Sequence, residues 1–288
     1  MTGHVYRRFR FRKRTHANQD LGPFVNHEMN RCIQCYRCVR FYRDLAGGRD
    51  FDVLGTRSNV YFGRARDGAL ESEFSGNLVE VCPTGVFTDK TLKRHYTRKW
   101  DLSTAPSVCI HCGLGCNTIP CARYGELRRI HARYNGEVNG YFICDRGRYG
   151  YEFINAPRRV RTCAVRTDGQ VSPVPWNDAI DRAARMLMEA KGIIGIGSPR
   201  ASLEANYALK RLVGDDAFST GLSAFDQQGT QLALEIMRAG PSRTPSLAEV
   251  ESADVILILG ADPTNEAPML DFAIRWRCAD KSRECSAG

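Results

Sequence analysis

Residues 31–43 read RCIQCYRCVRFYR, and their spacing decides the first third of the fold. Cys32, Cys35 and Cys38 stand at successive x2 intervals, the spacing that wraps three thiolates around one corner of a four-iron core. A full run of this kind continues C-x2-C-x2-C-x3-C-P, and here Tyr42 holds the place of the fourth cysteine. The missing ligand must come from elsewhere. Residues 71–85, ESEFSGNLVEVCPTG, put Cys82 directly before Pro83, which is the same C-P ending. Counting back from Cys82 with that spacing, Leu78, Ser75 and Ser72 stand where three more cysteines would be.

In two-cluster ferredoxins the C-P cysteine of each run serves the cluster built by the other run. Cys82 therefore completes the set Cys32, Cys35 and Cys38, while the complementary set of Tyr42, Ser72, Ser75 and Leu78 contains no thiol. One ligand set is kept whole and the other is lost whole. The expectation is an α+β ferredoxin-like module that has lost one of two sites and holds a single [4Fe-4S] cluster. The rival is a structural zinc site, but zinc ribbons present two separate C-x2-C knuckles. Three cysteines in succession with a remote C-P fit a cube better.

A second set follows in SVCIHCGLGCNTIPC (107–121), with Cys109, Cys112 and Cys116 at x2 and x3 spacing, and then Cys144 in YFICDRGRYG (141–150). This pattern also lacks a second knuckle and points to another [4Fe-4S] cluster. Gly113, Gly115, Gly140 and Gly147 flank these ligands, as expected where backbone must approach inorganic sulfur and donate N–H groups to it. Cys121, at x4 from Cys116, reads as packing, and His111 as a neighbour of the ligands or a solvent-facing residue. Cys163, Cys278 and Cys285 have no partner spacing and read as buried or incidental.

With 288 residues, 43% apolar and 25% charged, the chain has the composition of a folded protein of more than one domain. No apolar run reaches membrane-spanning length, and MTGHVYRRFRFRKRTH (1–16) lacks the apolar centre of a signal peptide, so a cytoplasmic location is expected. Twelve cysteines in a chain without an export signal suit metal ligation better than disulfides. The net charge of +9 admits nucleic acid as a partner. The alternation of Arg7, Arg8, Arg10, Arg12, Lys13 and Arg14 with Tyr6, Phe9 and Phe11 equally suits a strand laid against another protein. Arg31, Arg37 and Arg40 interleave the first ligand run. Positive charge there would raise the potential of a cluster, unless these side chains are taken up in salt bridges.

After Pro157 the texture changes. Asn177 is expected to cap a helix over DAIDRAARMLMEAK (178–191), ended by Gly192, with further helices over 202–213 and 228–239. IIGIG (193–197) and VILILG (255–260) read as core strands, so this part is expected to be an α/β layer with a parallel sheet. Two strands cannot cover the faces of such a layer. The loop GIGSPR (195–200) is not a dinucleotide fingerprint, because Arg200 stands where the third glycine would allow close helix packing. No Ser/His/Asp or Cys/His arrangement argues for hydrolysis.

Four stretches together, RTHANQDLGPFVNHEMNRCIQCYRCVRF (14–41), VYFGRARDGALESEFSGNLVEVCPTGVFTDKT (60–91), YGELRRIHARYNGEVNGYFICDRGRYGY (124–151) and GIGSPRASLEANYALKRLVG (195–214), closely resemble the G-subunit family of bacterial NADH:quinone oxidoreductase, respiratory complex I. The resemblance implies three parts. These are a ferredoxin-like module with one cluster over 1–101, a small second four-iron domain over 102–158, and a partial α/β domain over 159–288 that resembles molybdopterin oxidoreductases without molybdenum. It implies that Cys32, Cys35, Cys38 and Cys82 hold a cluster on the path from NADH and flavin to quinone. It also implies that Cys109, Cys112, Cys116 and Cys144 hold an additional cluster set aside from that path. The implied partners are the other subunits of the peripheral arm, with no nucleic acid and no small-molecule substrate of its own, and with the membrane reached only through the complex, on its cytoplasmic face. Members of the family carry an upstream two-iron domain and a further four-iron site, and they continue well past residue 288. The chain is therefore expected to be a fragment, inactive in isolation. Two alternatives stand beside this. One is a formate dehydrogenase-type molybdenum enzyme, disfavoured because Arg146 replaces the lysine expected in C-x-K-G; the other is a zinc-bearing nucleic-acid binder.

Overall fold

The computed structural model describes residues 15–95, 97–241 and 243–276. The Arg-aromatic alternation over 6–14 and the thiols Cys278 and Cys285 lie outside the described residues. The described residues form two compact units, one made of those between 15 and 155 together with those between 245 and 276, the other of those between 156 and 244.

The first unit begins with β1 (Val25–His27), which pairs antiparallel with β4 (Phe87–Asp89), opposing Val25 to Asp89 and His27 to Phe87. Between them β2 (Asp52–Leu54) and β3 (Tyr61–Gly63) form a second antiparallel pair. The short helix α1 (Arg37–Val39) runs into a wider π-type turn over Arg40–Leu45, and α2 (Leu78–Val81) leads to Cys82. Asp89 caps α3 (Lys90–Lys93) by accepting the Thr91 and Leu92 N–H groups.

A four-stranded sheet follows. β7 (Asn117–Arg123) pairs on one edge with β5 (Ser103–Thr104) and β6 (Ser107–Val108), and on the other with β8 (Glu126–Ala132). Tyr124 and Gly125, both at positive φ, turn β7 into β8. Then come α4 (Asp145–Tyr149) and α5 (Glu152–Asn155). The core of this unit is rich in aromatic rings: Phe41, Phe51, Phe62, Phe74 and Phe87 are buried with Met29, Leu78 and Ile143.

The second unit carries the hairpin of β9 (Ala164–Thr167) and β10 (Gln170–Pro173), turned at Asp168 and Gly169. It also holds three helices, α6 (Trp176–Glu189), α7 (Leu203–Val213) and α8 (Ala224–Ala239), and a parallel pair of β11 (Gly195–Ile196) with β12 (Phe218–Ser219). The order is thus ferredoxin-like module, small iron-sulfur domain and α/β part, as expected. None of the three helices has a fully buried residue, in line with a layer too small to cover its faces.

Four details differ from the sequence expectation. The helix over 176–189 is entered from Pro175, not Asn177, because the fixed φ of proline already sets the entry; Asn177 sits in the first turn. The helix over 224–239 starts four residues early, since the Ser223 side chain accepts the Asp226 N–H at 3.1 Å. Residues 255–259 form no strand, for no neighbouring segment supplies a ladder and Val255, Leu257 and Leu259 stay exposed. Residues 245–276 join the first unit, not the α/β part, because the helical stretch 268–276 buries Met269 and Phe272, with the Phe272 ring 5.0 Å from Phe74 and 5.7 Å from Phe142.

His27 makes the first unit sensitive to acid. It is buried, its ring lies stacked 5.3 Å from Phe87, and its Nδ1 accepts the Gln19 N–H at 3.1 Å. Burial lowers its pKa to about 4, against a smaller upward pull from the Phe62 backbone. The folded state therefore binds fewer protons than the unfolded chain, whose histidine titrates near 6.5. Stability is full above pH 6.5 and is lost as the pH falls towards 4, by about 3 kcal/mol. In His27→Phe, urea midpoints measured from pH 4 to 7 are expected to flatten over this window.

Candidate metal centres

The first quartet is assembled from two segments. Cys32 ends the single turn Met29–Arg31, Cys38 lies in α1, and Cys82 leaves α2 in the extended conformation that the following proline favours. Gln34 and Tyr36, at φ 57° and 61°, curl the loop between the ligands. This brings the Gln34 N–H to 3.2 Å from Cys32 Sγ. Burial is the largest influence on Cys38, raising its pKa to about 12, and the thiols of Cys32, Cys35 and Cys82 all act on it electrostatically. Cys82 shifts the other way: burial raises it, but N–H groups of Phe87, Thr84 and Val86 and the Thr84 hydroxyl more than reverse that.

The second quartet is built on a hairpin. Cys109 directly follows β6 and Cys116 directly precedes β7, and the Cys109 N–H donates to the Cys116 carbonyl at 2.8 Å. Cys144 is the N-cap of α4, its Sγ accepting the Gly147 N–H at 3.4 Å. All four thiols line one pocket, together with His111, Ile143, Arg146, Gly147, Pro268 and Met269. A Cβ at Gly147 would stand 3.3 Å from Cys109 Sγ and 3.7 Å from Cys144 Sγ, so glycine keeps this wall open. No such crowding occurs at Gly113, and Gly115 and Gly140 serve the loops through positive φ. Burial raises Cys116 to about 12 and Cys144 to about 11. Burial raises Cys109 as well, against smaller downward pulls from the His111 backbone N–H and from Arg146. Cys121 is fully buried with its Sγ 3.6 Å from the Ile119 carbonyl, a packing role, and Cys163 is half-buried.

The four positions of the complementary set are packed into the protein. Tyr42, Ser72, Ser75 and Leu78 are all buried. The Tyr42 hydroxyl donates to Asp50 at 2.7 Å and accepts the Ser72 N–H at 3.1 Å. The π-type turn around Tyr42 closes through the Ala46 N–H to the Phe41 carbonyl at 2.9 Å and swings the ring inward. Of the interleaved arginines, Arg31 pairs with Glu28 at 2.5 Å, while Arg37 and Arg40 line an open cleft with Asp44 and Glu80.

Gathered thiols with converging N–H donors fit a cluster that needs four thiolates. Burial holds Cys38, Cys116 and Cys144 as thiols, and a metal charge beside them would favour their thiolates. Among the described residues, no three or more His, Cys, Asp or Glu side chains are gathered as a single ion requires. Four further residues at the sites carried no sequence signal, since each is an ordinary polar residue near a cysteine: Asn77, Glu80, Asp145 and Arg148. Burial alone would raise Glu80, yet His131 and Arg148 pull it down to about 2. Burial raises Asp145 to about 7 against hydrogen bonds from Ser75 and Gly76.

Residues 22–88 match the family described as the ferredoxin-like domain of NADH-quinone oxidoreductase subunit 3. Residues 102–156 match the molybdopterin oxidoreductase Fe4S4 domain, and residues 159–284 the molybdopterin oxidoreductase family. The G subunit of NADH-quinone oxidoreductase from Escherichia coli K12 is 55% identical over 287 residues, covering 100% of this chain and 32% of the relative. The proteins of the same name from Shewanella oneidensis and Yersinia pestis are each 56% identical, over 284 and 287 residues, covering 31% of either relative. The chain thus spans about a third of the length of the curated relatives it matches.

Proposed function

Since this chain matches, along its whole length, a segment of the G subunit of NADH-quinone oxidoreductase, we propose that it is an electron-transfer segment of that complex holding two [4Fe-4S] clusters. One is held by Cys32, Cys35, Cys38 and Cys82, the other by Cys109, Cys112, Cys116 and Cys144. The observation that carries the reading is the gathering of each quartet, one remote cysteine brought to three local ones among backbone N–H donors. A bound cluster supplies one-electron oxidation and reduction without a covalent bond to substrate. The chain's own work is to present four thiolates, donate N–H groups to sulfur and exclude water, which together set affinity and potential. In the whole complex the electrons come from NADH by way of flavin and go towards quinone. Its partners are other peripheral-arm subunits, and it lies on the cytoplasmic face, reaching the membrane only through them. Among the described residues no helix is long and apolar enough to cross a membrane.

Anaerobic reconstitution of the chain with iron and sulfide is expected to bind about eight iron atoms and about eight acid-labile sulfides, with two distinct paramagnetic signals on reduction. Zinc without labile sulfide would overturn the reading. Stoichiometric molybdenum with pterin would replace it by the formate dehydrogenase-type alternative.

A further inference from the structure

Each quartet draws three cysteines from one loop and a fourth from far along the chain, and the two remote ligands meet in a common network. Asn77, at the start of α2, donates to the Ile143 carbonyl at 2.8 Å and accepts the Ile143 N–H at 3.3 Å, clipping the residue just before Cys144. On the other side of Cys144, the Asp145 N–H donates to the Glu73 carbonyl at 2.7 Å, and its carboxylate accepts the Gly76 N–H at 2.7 Å and the Ser75 hydroxyl at 2.5 Å. Arg148, one turn beyond Cys144, is 2% exposed. Its guanidinium donates to Glu80 at 2.6 Å, to Asn77 Oδ1 at 2.8 Å and to the Ile130 carbonyl at 3.3 Å. Glu80 lies two residues before Cys82 and also accepts from His131 and from the Ala132 N–H.

Resting on the cluster assignment above, we infer that Arg148, with Asn77 and Glu80, is a positioning device that couples the two quartets, so that each assembles fully only when the other's remote cysteine is in place. The physical reason is the geometry of the charge. A guanidinium this deeply buried is tolerated only with its carboxylate and carbonyl partners in contact. Two of its three partners, Asn77 and Glu80, lie on the segment that delivers Cys82, while the third, the Ile130 carbonyl, is on β8 and Arg148 itself lies on the segment that delivers Cys144. Fixing either segment therefore pre-orders the other and removes part of the entropy cost of bringing a distant ligand in.

The test uses the reconstituted full chain, with Cys82→Ala and Cys144→Ala assigning one paramagnetic signal to each quartet. Arg148→Gln is expected to weaken both signals in parallel, each at least twofold, with more than half of the iron lost, while Arg148→Lys restores part of both. Asn77→Ser, which removes no charge, is expected to weaken both signals to a smaller extent and serves where Arg148→Gln does not fold. Loss confined to the second quartet's signal in Asn77→Ser, or two full signals in a folded Arg148→Gln, would overturn the coupling while leaving the cluster assignment standing. A wild-type chain that binds no iron with sulfide would instead remove the assignment itself.

Discussion

Cys82→Ala is expected to abolish the first quartet's signal and to lower bound iron from about eight atoms per chain to about four or fewer. Cys82 is the one proposed ligand of that quartet delivered from outside the loop of residues 32–38, and three N–H groups and a hydroxyl draw its thiol below the usual range. No nearby residue of the first segment can take its place, since the position next in register, Tyr42, is a buried phenol committed to Asp50 and Ser72. The second quartet's signal should persist in weakened form, by way of the Arg148 network. Cys121→Ala provides the contrast: its thiol is buried within β7, at the Ile119 carbonyl of its own strand, and iron content should not change. An unchanged first signal in Cys82→Ala would break the ligand assignment. So would loss of iron in Cys121→Ala.

The second large effect is expected at Tyr42. The ring is fully buried where a ferredoxin with two clusters would place a ligand, packs at 5.3 Å against Phe51, and fits so tightly that a Cβ on Gly48 would collide with it. Burial first, and then Asp50, hold the phenol protonated, so it remains a donor. Tyr42→Ala should destabilise the first unit by roughly 3–5 kcal/mol, the range for emptying an aromatic site in a packed core. Tyr42→Phe keeps the ring but strands the Ser72 N–H and one Asp50 oxygen, and should cost about 1–3 kcal/mol. Urea unfolding of both variants checks the order. A Tyr42→Ala protein as stable as the wild type would mean that the lost site is not filled by this ring.

The same residue shows how far the sequence could be read. That Tyr42, Ser72, Ser75 and Leu78 are no longer ligands follows from their chemistry alone. That a π-type turn carries Tyr42 inward and joins it to Ser72 does not, because it depends on backbone hydrogen bonds such as that of Ala46 to Phe41. The helices of the α/β part were legible by period, and their starts less so: Pro175 sets one entry by its fixed φ, and Ser223 sets another by capping with its side chain. The apolar run 255–259 misled, since period and composition describe a strand's wish to be buried, whereas a strand exists only where a neighbour completes its ladder.

Sequence by itself determined the spacing from which the two proposed quartets are read, because ligand spacing within a loop is a short-range constraint that the covalent chain enforces, and because a missing cysteine can be sought by the same arithmetic elsewhere. Tertiary structure alone decided that the two remote cysteines share one buried charge network. Arg148 is separated from Glu80 by 68 residues and from Asn77 by 71. No local pattern marks such a trio, since an arginine reads as a surface residue until packing removes its water and leaves only those partners to hold its charge.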